Sequence, residues 1–367
     1  MDTAARFVAR MRRVTEEAGA LELDAVVVAP SPDLVYLTGY DPMPLERLTL
    51  LVLRTGRAPV MIVPELERPL AAASPAAASI ELAGWVDGVD PYEEAARLLT
   101  AGSRVAVGDR LWSSHLLGLQ GAAPRARFEP GSPVIGRVRA VKDDKELDAL
   151  RRAAHGADEA FREVCTMRFM NRTEAEIAGE LAELLVRNGH AGAGFTIVAS
   201  GPNSASPHHE PGSRAIEATD AVVMDFGGPL DGYFSDTTRT VVVGEPAPGF
   251  EPVYETVRAA QEAACDAVLP GAAAHEIDRV ARGIIEEAGH GERFVHRTGH
   301  GIGLEVHEPP YLIEGNHWVL EPGTTFSVEP GIYLEGRFGV RIEDIVAVTA
   351  DGVERLNRSA RDLQVVE

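Results

Sequence analysis

Residues 222–240 read VVMDFGGPLDGYFSDTTRT, and this stretch decides the fold of the C-terminal part. Asp225 ends an apolar run over Ala221–Phe226, a Gly-rich turn follows, and Asp236 stands at the start of a second run over Thr238–Val243. An apolar strand that ends in an acid before Gly-Gly predicts a hairpin with Asp225 and Asp236 side by side. Two facing carboxylates repel each other unless they share a proton or a cation. The ordinary alternative is a pair of solvated turn acids, and Asp231 between them reads as such a turn residue.

Working outward, three downstream segments carry the same kind of signal. VHRTGHGIGLEVHEPP (295–310) places His296, His300 and His307 among Gly299, Gly301 and Gly303. Glycine permits close backbone approach around a site. In FSVEPG (326–331), Glu329 lies between apolar Val328 and Pro330. In GVRIEDI (339–345), Glu343 follows a strand pattern that should bury part of its surface, with a salt bridge to Arg341 as the structural alternative. A buried acid costs several kcal/mol unless it is paired or bound to a metal. Asp225, Asp236, His300, Glu329 and Glu343 therefore form a candidate ligand set of four carboxylates and one imidazole. Such a set suits Mn²⁺, Co²⁺, Fe²⁺ or Zn²⁺, and carboxylates can bridge two ions. His208, His296 and His307 are left to serve substrate and transition state.

Helical periodicity surrounds these segments. Asp143 or Asp144 caps a helix from Lys145 to about Thr166, and a TxxE pattern (Thr173, Glu176) opens a helix over Thr173–Asn188. Further helices are expected at about 253–269 and 275–288, and strands at 195–199 and through 324–349. Two helix pairs, each followed by strands, suggest a repeated organisation. The earlier part reads as α/β: Leu23–Ala29, Leu48–Leu53, Pro59–Val63 and Val105–Val107 are continuous apolar runs of strand length, suited to burial on both faces. The Ala-rich stretch Leu70–Ser79 reads as a helix plus surface turn. The boundary is placed between residues 140 and 141.

The whole chain has 367 residues, of which 45% are hydrophobic, so it can bury a sizeable core. Lys and Arg total 35 against 56 Asp and Glu, a net charge of −21, which excludes polyanionic partners such as nucleic acid or an anionic membrane. The two cysteines, Cys165 and Cys265, have no zinc-type spacing. No apolar run reaches the roughly 18 residues of a membrane span. Residues 1–14 show the periodicity of an amphipathic surface helix and not of a signal peptide. A cytoplasmic protein is expected.

The DFG…GYFSDTTRT, TGHGIGLEVHEPP, VEPG and RIED segments occur in that order, and as a set they resemble the metallopeptidase family of methionine aminopeptidase, aminopeptidase P and Xaa-Pro dipeptidase (prolidase). The resemblance covers about Lys142 to the C-terminus. It implies an α+β pita-bread catalytic domain (141–367) with a dinuclear metal site. The implied ligands are Asp225, Asp236, His300, Glu329 and Glu343, with two divalent ions, manganese first and cobalt, zinc or iron as alternatives. Glu329 is also implied as the proton carrier. His208, with His209 beside it in SASPHHEPG (204–212), matches the upstream catalytic histidine, and His307 a second one. His296 and Arg341 match substrate-binding positions of the proline-specific branch. VYLTGYDPMPLERLTLLVL (35–53) resembles the smaller α/β creatinase-like N-terminal domain (1–140) of that branch, which implies a homodimer. The expected activity is hydrolysis of the bond preceding proline in Xaa-Pro dipeptides. Aminopeptidase P acting on Xaa-Pro-Yaa peptides is the nearest alternative, followed by promiscuous hydrolysis of organophosphorus or other esters. A non-catalytic binding protein of the same fold would lack ligands, and none is missing here.

Overall fold

The continuous apolar runs of the first part become the centre of one sheet. The structure is a computed structural model that describes residues 3–367. It divides into two compact units, Met1–Arg139 and Ala140–Glu367. Of the helix expected over 1–14, Met1 and Asp2 lie outside the described residues, and the rest begins α1 (Thr3–Ala20). In the first unit, β1 (Ala25–Val28), β2 (Leu50–Arg54), β3 (Val60–Pro64), β4 (Glu81–Trp85), β5 (Arg104–Val107) and β6 (Arg127–Pro130) pair in the order β4-β3-β2-β1-β5-β6. β1 runs parallel to β5 and antiparallel to β2. All of β1 and β3, and β2 up to Leu53, are buried, which is why those strands are uninterrupted apolar sequence. The edge strands β4 and β6 are half-exposed and carry Glu81, Gly84, Arg127 and Glu129, so no apolar run marks them. Helices α2 (Pro32–Thr38), α3 (Arg68–Ala72), α4 (Pro91–Leu98), α5 (Ser113–Ala122) and α6 (Ser132–Ala140) complete this unit. The Ala-rich stretch forms α3 and a 3₁₀ turn at Ala77–Ser79.

In the second unit α7 (Asp144–Val164) starts with a capping box. The Asp143 carboxylate accepts from the Lys145 and Glu146 amides, and Glu146 accepts from the Asp143 amide at 3.0 Å. α8 (Glu174–Arg187) starts the same way, with Thr173 and Glu176. These two helices pack on a four-stranded sheet of β7 (Phe195–Ser200), β8 (Ala221–Gly227), β11 (Thr237–Val243) and β19 (Gln364–Val366), in the order β19-β11-β8-β7. Phe161, Ile177, Leu181 and Leu184 from the helices meet Val198, Met224 and Val241 from the strands. A short ribbon, β9 (Pro229–Leu230) with β10 (Tyr233–Phe234), links β8 to β11, and Asp231 sits at its turn with φ 51°.

The pattern then repeats. α9 (Phe250–Asp266) and α10 (Ala274–Glu287) pack on a five-stranded sheet of β12 (Gly299–Gly301), β13 (Glu308–Leu312), β14 (Thr325–Val328), β17 (Asp344–Val348) and β18 (Val353–Arg355). Val257, Ile277, Ala281 and Ile285 meet Phe326, Val328 and Val346. A second ribbon joins β15 (Gly331–Leu334) to β16 (Phe338–Arg341). Helix pairs covering two sheets make this unit an α+β pita-bread fold. Both cysteines are unpaired, and burial pushes each thiol up to about 12. Among the described residues no helix is long and apolar enough to cross a membrane.

Candidate metal centre

Strand register fixes the first two acids. In the β8–β11 ladder Asp225 lies opposite Thr238, not opposite Asp236. Asp236 stands two residues before Thr238 and shares its face, so the two acids are diagonal rather than directly opposed neighbours. His300 is the middle residue of β12. A Cβ on Gly299 would fall 1.8 Å from the Ser327 carbonyl oxygen, and one on Gly301 would fall 2.3 Å from that of Pro309. Glycine therefore lets β12 press between β13 and β14 and holds the imidazole in place. Glu329 follows β14 and Glu343 follows β16, so the five side chains come from both sheets.

They converge. Ligand atoms of Asp225, Asp236 and Glu343 lie within 4.8 Å of one another, as do those of His300, Glu329 and Glu343 and those of Asp236, His300 and His307. Nε2 of His300 is 3.3 Å from Glu329 Oε1 and 3.6 Å from Asp236 Oδ2. Its Nδ1 faces the Gly301 carbonyl at 3.2 Å, which leaves Nε2 turned to the carboxylates. Ser327 ties two of the residues together: its Oγ accepts from the His300 amide at 3.0 Å and donates to Glu329 at 3.1 Å. Thr238 donates to Glu343 Oε2 at 2.7 Å.

Arg341 does not pair with Glu343, the structural alternative the sequence offered. Its guanidinium donates to Asp225 at 2.6 Å, to Thr238 Oγ1 at 3.1 Å, to the Tyr333 hydroxyl at 2.9 Å and to the Pro207 carbonyl at 3.3 Å. Four of its five N–H groups are thus engaged. The Tyr333 hydroxyl lies 2.8 Å from His296 Nε2, and His296 Nδ1 lies 2.7 Å from the Arg297 carbonyl. A buried chain runs from Arg341 through Tyr333 to His296.

The charges are not balanced by protein. Burial raises the pKa of Asp225, Asp236 and Glu343, and for the last two the neighbouring carboxylates push it well up. Burial also opposes ionisation of Glu329, but the hydrogen bond and charge of His300 outweigh it and hold Glu329 at about 2. Asp225 Oδ1 and Glu343 Oε1 are buried with no hydrogen-bond partner. Unsatisfied buried carboxylate oxygens are costly, and these two point to divalent cations. The oxygen-rich donor set fits such ions.

The site opens into a cavity of about 880 Å³, whose lining includes His208, His296, His307 and Arg341. His307 is open to the cavity, and its ring lies edge-on to His300 with centroids 4.1 Å apart. Burial by the surrounding walls, then the charges of His300 and Arg297, push His307 down to about 4. His208 lines the cavity and His209 does not: His209 Nε2 bonds to Glu174 at 2.8 Å. Glu174 is fully buried and also accepts from the Ser200 amide and hydroxyl, Asn203 Nδ2 and the Gly212 amide. It clamps the segment that presents His208. Sequence reasoning missed this role, because Glu174 sits inside a TxxE capping pattern and reads as a first-turn acid. Tyr333 and Ser327 were missed as well, since each looks like an ordinary strand residue.

Comparison with known proteins gives the family. Residues 148–350 match metallopeptidase family M24, and residues 10–141 match the creatinase/prolidase N-terminal domain. The chain is 43% identical to a probable dipeptidase PepE of Mycobacterium tuberculosis over 99% of its length and 96% of that protein's. It is 36% identical to a Xaa-Pro dipeptidase of Lactobacillus delbrueckii subsp. lactis, covering 94% of this chain and 95% of the other. The crystal structure of dipeptidase PepE from Mycobacterium ulcerans superposes with a TM-score of 0.96 at 41% identity, over 100% of this chain and 99% of that one. With the family match spanning more than half its length, the chain belongs to metallopeptidase family M24.

Proposed function

We propose that this protein is a metal-dependent Xaa-Pro dipeptidase in which Asp225, Asp236, His300, Glu329 and Glu343 hold two divalent cations. The observation that carries the reading is the convergence of these side chains around buried carboxylate oxygens that nothing in the protein satisfies. Glu343 belongs to two of the three side-chain groups that could hold an ion, one with Asp225 and Asp236 and one with His300 and Glu329. Manganese is the first candidate metal.

When bound, the cations supply Lewis-acid polarisation of a carbonyl and an acidified water. The protein's own residues do the rest. Glu329 is held ionised, so its carboxylate accepts the proton of the attacking water and passes it to the departing proline nitrogen. That nitrogen belongs to a tertiary amide without N–H, and a peptidase that anchored the N–H could not use it. With its pKa depressed, His307 is neutral near pH 7 and donates an N–H to the developing oxyanion, assisted by His208. The one Arg341 donor without a protein partner serves the substrate, while the other four hold Asp225, Thr238, Tyr333 and Pro207. His296 shapes the same wall through Tyr333. Catalysis belongs to residues 141–367, and the N-terminal domain, 1–140, serves assembly as a homodimer in the cytoplasm.

The test is hydrolysis of an Xaa-Pro dipeptide and the matching Xaa-Pro-Yaa tripeptide by chelator-stripped protein, with and without Mn²⁺. Metal-dependent cleavage of the dipeptide supports the reading. Cleavage of the tripeptide alone moves it to aminopeptidase P. Cleavage of neither by metal-loaded protein refutes it.

A further inference from the structure

Glu343 stands where the strand ladders lapse. β16 ends at Arg341 and β17 begins at Asp344, so Ile342 and Glu343 belong to neither strand. What fixes Glu343 is β11. Its amide donates to the Thr238 carbonyl at 3.0 Å. Arg239 donates to that same carbonyl at 3.0 Å and also to the carbonyl of Glu343. One guanidinium thus holds the backbone of Glu343 against the strand that follows Asp236. The other three N–H groups of Arg239 go to Asp344 Oδ1 at 2.6 Å, to the Ser359 carbonyl at 3.0 Å and to the Ala360 carbonyl at 3.1 Å. All five donors of a side chain that is only 1% exposed are therefore used.

The brace behind Arg239 is itself anchored. Asp344 is fully buried, and its second oxygen accepts from Arg361 at 2.9 Å and from Gln261 at 3.1 Å. Asp158 on α7 accepts from the Arg358 amide at 2.6 Å and the Ser359 amide at 3.2 Å. Asn357 accepts from the Ile345 amide and donates to the Thr237 hydroxyl, at 2.8 Å each. A planar guanidinium with every donor engaged and its charge met is held in one geometry. Arg239 does not line the cavity, so it acts on the site only through what it holds. We propose that Arg239, braced by Asp344 and by the C-terminal segment 357–361, is a positioning residue that sets Glu343 for cation binding. The end of the chain then belongs to the framework of the metal centre. The proposal rests on the reading of Glu343 as a metal ligand and adds to it the residue that fixes its place.

The test is calorimetric titration of Mn²⁺ into chelator-stripped, full-length protein. The variants are R239K, D344N and E343Q, each of the first two combined with E343Q, and L185A as a control. Lysine keeps the charge of Arg239 but offers three donors from one point, and it cannot span the same acceptors. D344N keeps the shape of the brace without its charge, and it decides the matter if R239K does not fold. L185A opens a cavity under α8 and lowers stability without removing a bond to Glu343. R239K should weaken Mn²⁺ binding on the order of 10- to 100-fold, the range for losing a partner that orients a ligand. D344N should weaken it in the same direction by less, and L185A should bind as the wild type does despite a lower Tm. Because Arg239 acts through Glu343, neither variant should add to the loss already caused by E343Q. Wild-type affinity in R239K and D344N, losses that add to that of E343Q, or a loss in L185A equal to that in R239K overturns the positioning role. A wild type that binds no Mn²⁺, or an E343Q protein that binds it as the wild type does, overturns instead the metal-ligand reading beneath it.

Discussion

At the level of single residues, the acids were legible because they break a rule. Asp225, Glu329 and Glu343 each interrupt apolar strand sequence, and burial of an unpaired carboxylate demands a compensating charge. The histidines were less legible. His208 and His209 are adjacent in a loop, where no strand alternation assigns them to opposite faces, and only the bond from His209 to Glu174 separates them. A titration tests the electrostatics directly. Protonated His307 would be a cation in a partly buried site beside His300 and Arg297, so proton binding is disfavoured and the pKa falls to about 4. The ring signals of His307, identified by their loss in His307→Gln, should titrate well below the ordinary value of about 6.5. A midpoint between 6 and 7 in the metal-free protein contradicts this account of the cavity wall.

Elements place these residues, and here the sequence showed location better than contact. The hairpin was evident, but its register was not: two residues of offset separate a side-by-side pair of aspartates from the diagonal pair observed. β12 was hidden because two of its three residues are glycine. Those glycines yield a prediction. Gly299→Ala would drive a methyl group into the Ser327 carbonyl, displace β12 from β14 and carry His300 away from the carboxylates. Activity should fall by at least about 100-fold, the scale of a 1 Å misplacement, together with weakened metal binding. Wild-type turnover with full metal content would show that the strand has slack. Glu174 makes a second case. Burial opposes its ionisation, but hydrogen bonds from Ser200, His209 and Asn203 outweigh this and lower its pKa. A depressed folded pKa contributes stability above the unfolded value of about 4.3, and that stability disappears as pH falls through the folded value. Glu174→Gln should cost about 2–4 kcal/mol near pH 7 by urea denaturation and less at pH 3, because the wild type loses its advantage there. A cost independent of pH would mean that the clamp does not depend on charge.

For the molecule as a whole, composition and periodicity gave the class, and the four C-terminal motifs pointed to the candidate site. The repetition of helix pair and sheet was visible only as an order of elements. In the structure it extends to detail: the Ala273 amide bonds to the Glu276 carboxylate at 2.8 Å, as the Thr173 amide bonds to Glu176 at 2.7 Å. Half-exposed edge strands such as β4 and β6 leave no periodic signal, which is why the first sheet was only partly foreseen. Metal should matter to the stability of the catalytic unit as well as to its chemistry. An ion present at 100 times its dissociation constant adds about 2.7 kcal/mol, or roughly 5–10 °C in Tm for a unit of this size. Chelation should lower the calorimetric Tm by about that much, and an unchanged Tm would mean that the carboxylates are satisfied without cations. The most direct measurement joins metal to turnover: metal content by elemental analysis and Ala-Pro hydrolysis, on wild-type protein and Asp236→Ala in parallel. The expected result is two ions per chain and turnover in the wild type, with both lost in a variant whose circular dichroism is unchanged. Full turnover in Asp236→Ala, or a wild type that turns over without bound metal, would contradict the assignment.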